Sequence, residues 1–456
     1  MRAQRRVTDG LERTLVAALA LLVLPALLGT GPTTCGKKPN LVYYDGHMHT
    51  VRSDGNGSVA DIKATALSRG LDAVIITDHC KELTQEEWAS LVAECEANSD
   101  STFLALPGFE VTGSDGMFNR DHVNALGAGD PFVGDDSDEL CPEEVWESPL
   151  NPAGTGPLYP ENIAAWVDYI HSQGGIAVHN HPSGSTSLEY GVDNLEVYNQ
   201  SHVDDVISYA LLLGYSPEEA WEFGILLNDL SIYGEADELH MLLPNPGFPG
   251  PALMPMREIL WWGTLIFSGV GQWLGAPEAP LNSWDDLLMA YVDGTVDKPI
   301  FGLANSDSHN TGDPDSTVGA AKNGVYLWGP LNQKQLLKAI KAGRTFGTTG
   351  PSLDLDVNGR LMGGTAHVFG GAATVNLSAS SESETAILVK IDVIKNGEVW
   401  QTLEPMSQTY EDSLADDAVI EDGYYRIEVT SFDTASGNTY FAWSNPVFVR
   451  VRDWRP

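Results

Sequence analysis

Leu41-Val42-Tyr43-Tyr44-Asp45-Gly46-His47-Met48-His49-Thr50 is an apolar run that stops on two imidazoles two residues apart. In an extended strand, residues i and i+2 share one side of the pleat, so both rings converge just beyond the strand end. Converging neutral imidazoles are ligands for zinc, manganese or iron(II), whereas a calcium site would offer oxygen almost alone. The same design recurs along the chain. Apolar runs at 73–77, 103–106, 122–126, 176–178, 195–198 and 301–304 end on or near Asp78, Glu110, His122, His179 and Asp307. Helical patterns fill the intervals at 58–69, 86–97 and 161–173, the last stopped by Gly174-Gly175. Strand and helix in alternation predict an α/β fold with a mostly parallel sheet. With the 41–45 run, seven strands suggest a distorted seven-stranded (β/α) barrel with its chemistry at the carboxyl ends of the strands.

The chain of 456 residues exceeds one ordinary domain, and 43% hydrophobic content supplies enough apolar surface for a core. A net charge of −38, from 63 acids against 25 bases, repels phosphate backbones and argues against nucleic acid as a bulk partner. Residues 1–35 read as a signal peptide or N-terminal membrane anchor: Arg2, Arg5, Arg6 and Arg13 precede the apolar run 15–28. That run is shorter than the ~20 residues a spanning helix needs. The expected location is exported: periplasmic, outer-surface or membrane-anchored in a bacterium. Cys35 stands where an acylated lipoprotein cysteine could sit, although Pro32, Thr33 and Thr34 match that pattern poorly. Cys80, Cys95 and Cys141 then allow at most one disulfide, and no CxxC spacing suggests a zinc finger.

Residues 36–350 are assigned to the barrel, with a helical insertion near 201–298 that carries Trp261, Trp262 and Trp273. Residues 129–160 read as a long acidic surface loop. After a helix at 333–342 and a Gly- and Thr-rich turn at 343–350, the pattern changes to alternating strands. The runs 373–379, 387–395, 424–431 and 446–451, with Asn396-Gly397 as a hairpin turn, predict an all-β sandwich domain over 351–456.

Asp54 follows the first histidine pair in Ser53-Asp54-Gly55, close enough for the outgoing loop to return it to the site. His79 ends Ile75-Ile76-Thr77-Asp78-His79. Glu110, after Pro107-Gly108-Phe109, is placed to bridge two cations. His122 follows Asp121, His179 and His181 flank Asn180 before Pro182, and Asp307 and His309 close the series. Seven of the eleven histidines fall at strand ends, where core packing would favour aliphatic residues. The donor set implies two or three divalent metal ions (Zn, Mn or Fe).

In this order the motifs resemble the PHP (polymerase and histidinol phosphatase) domain superfamily over residues 41 to about 350. Gly343-Arg344-Thr345-Phe346-Gly347-Thr348-Thr349-Gly350-Pro351 and Trp443-Ser444-Asn445-Pro446 further resemble its CehA/McbA-type branch, which includes aryl carbamate hydrolases. The resemblance implies His47, His49 and Asp307 around a first metal with Glu110 bridging. His122 and His181 would complete a second site, and Asp54, His79 and His309 would hold a third. It favours His181, which precedes Pro182, over His179; Asp78 is the better candidate for orienting a ligand.

The expected activity is metal-dependent hydrolysis of a small-molecule phosphoester, ester or carbamate, with Asp307 accepting a proton and Arg344 contacting an anion. An amidohydrolase barrel would leave Asp54, His79 and His309 idle and lacks a lysine to bridge the metals. A third reading is a cell-surface binding protein with an inert barrel. Its sandwich would bind through aromatics such as Trp400, Tyr425 and Trp443.

Overall fold

The computed structural model describes residues 39–112, 122–129, 131, 161–180, 190–200, 240–243, 252–255, 284–312 and 316–452. Residues 1–35, most of the 201–298 insertion and the 132–160 loop lie outside this set, and so does His181. Contacts separate the chain into Met1–Asn40 and Leu41–Pro456. Everything below concerns the second unit together with the first residue of β1.

The first half carries β1 (Asn40–Asp45), β2 (Ala73–Ile76), β3 (Leu104–Thr112), β4 (His122–Leu126), β5 (Ile176–Asn180) and β6 (Asn194–Asn199). A separate two-stranded ribbon, β7 (His240–Leu243) and β8 (Ala252–Pro255), precedes β9 (Phe301–Asn305), β10 (Lys322–Leu327) and β11 (Thr345–Thr348). The helices are α1 (Val59–Ser68), α2 (Gln85–Asn98), α3 (Glu161–Ser172), α4 (Trp284–Val292) and α5 (Gln333–Lys341). Their starts follow from local chemistry. Ser58 with Asp61 and Thr84 with Glu87 form capping boxes, each satisfying two otherwise unpaired donors. Asn332 caps α5 by accepting from the Gln335 backbone N–H. All seven strands read from the sequence are present.

The strand order is β11-β10-β1-β2-β3-β4-β5-β6-β9. The sheet is mixed, which corrects the mostly parallel expectation: β1–β2–β3 and β5–β6–β9 run parallel, whereas β4 is antiparallel to both β3 and β5. Only residues 113–121 join β3 to β4, too few for the crossover that parallel pairing requires. At the far end, β9 meets β10 through one side chain. The Asn323 amide accepts from the Ala304 N–H at 2.9 Å and donates to its carbonyl at 2.7 Å. Among the described residues no strand ladder joins β9 to β10, so the closure expected of a barrel is not shown.

Alternation divides the strands into two faces. Tyr44, Ile75, Leu106, Leu126, Ile176, Val178, Leu303 and Val325 pack in one buried cluster with Leu336, Ala339 and Ile340 of α5. The opposite faces of β2 and β3 pack with α1 and α2 through Val74, Ile76, Ala105, Ile62, Trp88 and Leu91. Continuing the inward alternation to the strand ends replaces these aliphatics with Glu110, His122 and Asn180.

The segment read as a turn at 343–350 contains β11, and this is a second correction. All four of its residues are buried between β10 and β20, so the Gly and Thr content reflects close packing. At Gly347 a Cβ would lie 2.7 Å from the Ala304 side chain. The later strands are β12 (Ser352–Val357), β13 (Arg360–Leu361), β14 (Thr365–Phe369), β15 (Ala373–Ser380) and β16 (Ala386–Lys395). They are followed by β17 (Glu398–Leu403), β18 (Thr409–Asp416), β19 (Gly423–Asp433), β20 (Thr439–Ser444) and β21 (Val447–Arg452). One sheet, β13-β12-β15-β18, covers the other, in which β16, β19, β20, β21 and β14 take part, over a shared core of Leu355, Val375, Val393, Ile427 and Val447. That second sheet continues through β20 into β11. Asn396 and Gly397 both have positive φ, 54° and 86°, as a two-residue hairpin requires. Tyr425 and Trp443, suggested as a binding face, are buried.

Candidate metal centre

Eight of the nine predicted ligands come together at the carboxyl ends of the strands. His47 and His49 project past β1, with their Nε2 atoms 3.3 Å apart. Each Nε2 lies 3.3 Å from Glu110 Oε2. Asp307 Oδ1 stands 3.1 Å from His47 Nε2 and 3.2 Å from His49 Nε2. The other Glu110 oxygen meets His122 Nδ1 at 2.7 Å, and His79 Nδ1 is 3.2 Å from Oε2. Asp54 joins a further group, 3.5 Å from His49 Nδ1 and 3.4 Å from the Nε2 atoms of His79 and His309. Three sets of donor atoms each fall within 4.8 Å: His47, His49 and Glu110; His79, Glu110 and His122; His49, Asp54, His79 and His309. His79 therefore faces Glu110 as well as Asp54, and His49 belongs to two sets.

Local sequence explains the convergence. Ser53 and Gly55 both donate backbone N–H to the Thr50 carbonyl, closing the tight turn that returns Asp54 to the site. A Cβ at position 55 would sit 2.2 Å from the His49 carbonyl oxygen, so only glycine passes there. Asp78 clamps this turn, accepting from Thr50 N at 2.6 Å, Thr50 Oγ1 at 2.7 Å and Ser53 Oγ at 2.8 Å. The Asp78 carboxylate thus acts on the loop that carries Asp54, and it belongs to none of the three donor sets. Asp307 occupies the left-handed region at φ 51°, a conformation that costs free energy for a residue with a Cβ. The bridge between Met48 and Ser308 and the His49 N–H to Ser308 carbonyl bond hold it against β1.

The charge distribution is one-sided. Asp45, Asp78, Glu110, Glu196 and Asp307 are all buried. Among the described residues, the ion pairs of Glu110, Glu196, Asp307 and Asp54 are all with histidine and none with lysine or arginine. Burial opposes a charge on His47, but Asp307, Glu196 and Glu110 outweigh it and hold its pKa well above the ordinary value. Burial likewise opposes protonation of His309, yet Asp54 and Asp307 raise it to about 9. His49 is lowered by its own burial and by His79 and His309. Burial would raise the acids, but the surrounding imidazoles keep Asp54, Glu110 and Asp307 well below the carboxylate range. Buried carboxylates grouped with imidazoles are a donor set that fits divalent cations, to which the rings would bind in neutral form.

Comparison with known proteins adds little. No family model and no curated protein matches the chain. Among solved structures it is similar to a two-domain protein from Bacteroides vulgatus described as containing a predicted PHP-like metal-dependent phosphoesterase. The identity is 15%, covering 92% of this chain and 99% of that one, with a TM-score of 0.36. An amidohydrolase from Chromobacterium violaceum matches at 20% identity over 37% of this chain and 81% of its own, with a TM-score of 0.25. Likenesses this weak carry no argument about fold or activity.

Two expectations need restating. Arg344 is not brought to the centre. Its guanidinium lies over the Trp328 ring, 4.9 Å from the centroid, and donates to the Lys338 carbonyl at 3.3 Å. The antiparallel β10–β11 register explains this: Thr348 pairs with Lys322 beside Asn323 and β9, whereas Arg344 precedes Thr345, opposite Val325 towards the other end. His179 is buried but belongs to none of the three donor sets; it stacks edge-on with Tyr190 at 5.5 Å. The residue the sequence reading passed over is its neighbour Asn180, whose Nδ2 donates to Glu110 Oε1 at 2.9 Å. Glu196, Asn199 and Asn305 were also missed. Their signal was a polar residue at an inward position of an otherwise apolar strand.

Proposed function

We propose that the chain is a metal-dependent hydrolase of the PHP type. The observation that carries this reading is the overlap of three donor sets on shared His49, His79 and Glu110. His47, His49, Glu110 and Asp307 would hold one cation; His79, Glu110 and His122, with His181 expected beside them, a second; His49, Asp54, His79 and His309 a third. Such cations lower the pKa of a coordinated water from about 15.7 towards 7 and polarise an ester bond.

The chain's own groups prepare the rest. Asp307, held ionised by its imidazole neighbours, is positioned to accept a proton at Oδ2, which Asn199 Nδ2 orients at 3.3 Å. The Asp54 and His309 side chains are 45% and 35% exposed, against 0–1% for His47, His49 and Glu110, so substrate reaches the centre from the Asp54–His309 side. Arg344, the cation expected to meet an anion, lies elsewhere, and Arg52 is engaged by Glu94 at 2.7 Å, which supports a neutral ester or carbamate substrate. A location outside the cytoplasm belongs to the same proposal and rests on residues 1–35.

Elemental analysis of protein beginning near residue 36, with assays on aryl phosphate, aryl phosphodiester and aryl carbamate, tests this. Two or three equivalents of metal with turnover lost in His49→Ala is the expected result. Less than one equivalent and no turnover on any substrate rejects it.

A further inference from the structure

Glu196 lies on β6 with its side chain fully buried, one strand away from Asp307 and nearly 150 residues from His47 in sequence. Its Oε1 is 2.8 Å from His47 Nδ1. A carboxylate can only accept, so a proton resides on Nδ1, and Nε2, which faces Glu110 Oε2, Asp307 Oδ1 and His49 Nε2, is the nitrogen left for a cation. Glu196 is itself fixed. Asn305 Nδ2 donates to Oε1 and Asn199 Nδ2 to Oε2, both at 2.9 Å. Asn305 Oδ1 also accepts from the Gly46 backbone N–H at 3.1 Å, so a single amide ties down both the backbone before His47 and the carboxylate behind its ring. Asn199 Nδ2 reaches Asp307 Oδ2 as well, at 3.3 Å. Two donors far apart in sequence, His47 and Asp307, are thus aligned from one short stretch of β6.

We infer that Glu196 is a positioning residue: it fixes His47 as an Nε2 ligand, raises the basicity of that nitrogen, and so sets the affinity of the cation held by His47, His49, Glu110 and Asp307. This rests on the metal-centre reading above. Carboxylates behind a ligating imidazole orient the ring and strengthen it as a donor, and their removal typically costs 10–100-fold in affinity. The group containing Asp54, His79 and His309 makes no contact with Glu196 in the hydrogen bonds above, so its cation should be held as before.

Metal-free full-length mature protein would be titrated with Zn2+ against a chromophoric chelator for wild type, Glu196→Gln and Glu196→Ala, with the thermal midpoint of each metal-free sample recorded alongside. The expected result is one equivalent weakened about 10–100-fold in Glu196→Ala and by less in Glu196→Gln, which keeps an acceptor oxygen but loses the charge. A second readout is the Nδ1–H proton resonance of His47, present in wild type and shifted or lost in both variants. A purely structural role would lower the metal-free midpoint while leaving the metal affinity of both folded variants at the wild-type value. Metal affinities within twofold of wild type in the folded Gln variant overturn the inference alone. A wild type that takes up no Zn2+ overturns it together with the metal-centre reading.

Discussion

Glu110→Gln tests the centre most directly, because Glu110 belongs to two of the three donor sets. The substitution keeps volume and one oxygen but removes a charge and turns an acceptor into a donor. Oε1 now accepts from His122 at 2.7 Å and from Asn180 at 2.9 Å, while Oε2 faces His47, His49 and His79 at 3.2–3.3 Å. Whichever oxygen becomes NH2, two or more groups lose an acceptor. Both cations that share Glu110 should weaken, whereas the one held by Asp54, His79 and His309 keeps its donors. Binding stabilises the fold by RT ln(1 + [L]/Kd), about 2.7 kcal/mol at a hundredfold excess over Kd. Each tenfold loss of affinity removes about 1.4 kcal/mol of that stabilisation. Denaturant unfolding of wild type and variant at matched Zn2+ would read it, with the metal-free samples as baseline. For a loss of 10–100-fold per site, the metal-dependent stabilisation of the variant should fall by about 1.4–2.7 kcal/mol per site. An equal metal-dependent gain in both proteins would show that Glu110 is no ligand.

Further outcomes follow from the same geometry. In metal-free protein, His47 and His309 have raised pKa values, so their contribution is complete below the unfolded value near 6.5 and lost as pH rises through the folded values, about 9 for His309; the lowered acids lose theirs as pH falls below about 4. Metal-free stability measured by denaturant should therefore peak between about pH 4.5 and 6.5, and metal uptake at pH 7 should release protons detectable in a weakly buffered titration. Asn445→Ala should destabilise by about 3–5 kcal/mol, since the buried amide serves Gly302 N and O together with Thr345 O and Oγ1; urea unfolding that changes by under 1 kcal/mol would contradict this. Arg344→Ala should leave metal affinity and turnover within twofold, and a tenfold loss would return Arg344 to the site.

Much of this was legible because two periodicities leave strong marks. The seven strands of the first half could be placed from apolar runs that stop on ligand-type residues, and the helices from the helical patterns at 58–69, 86–97, 161–173 and 333–342. Nine candidate ligands could be named, eight of them within the described residues, because histidines and carboxylates where apolar runs stop have few other uses and the order of their motifs resembles a known superfamily. What stayed hidden depends on partners far away in sequence. The antiparallel β4 follows from the length of the 113–121 connection and not from any residue in β4. β11 reads as a turn because Gly347 and Thr348 are selected by Ala304 and β20, neither of which is near in sequence. Arg344 sat in a suggestive motif, and only the β10–β11 register reveals that its side chain belongs at the other end. Glu196 and Asn180 were missed because a single polar residue on a buried strand is indistinguishable, without the fold, from an edge position.

The seat of β11 between β10 and β20 bears on how the molecule is made. Asp307 lies two residues beyond β9, and Gly302 within β9 is held on both backbone groups by Asn445, which follows β20. A nascent chain that has emerged only as far as β11 still has an open edge and lacks this clamp. The order of synthesis thus places this clamp after β20 has been made. Loss of Asn445 would then be felt at β9, next to Asp307, and the C-terminal strands are better regarded as the fastening of that strand than as an appendage to it.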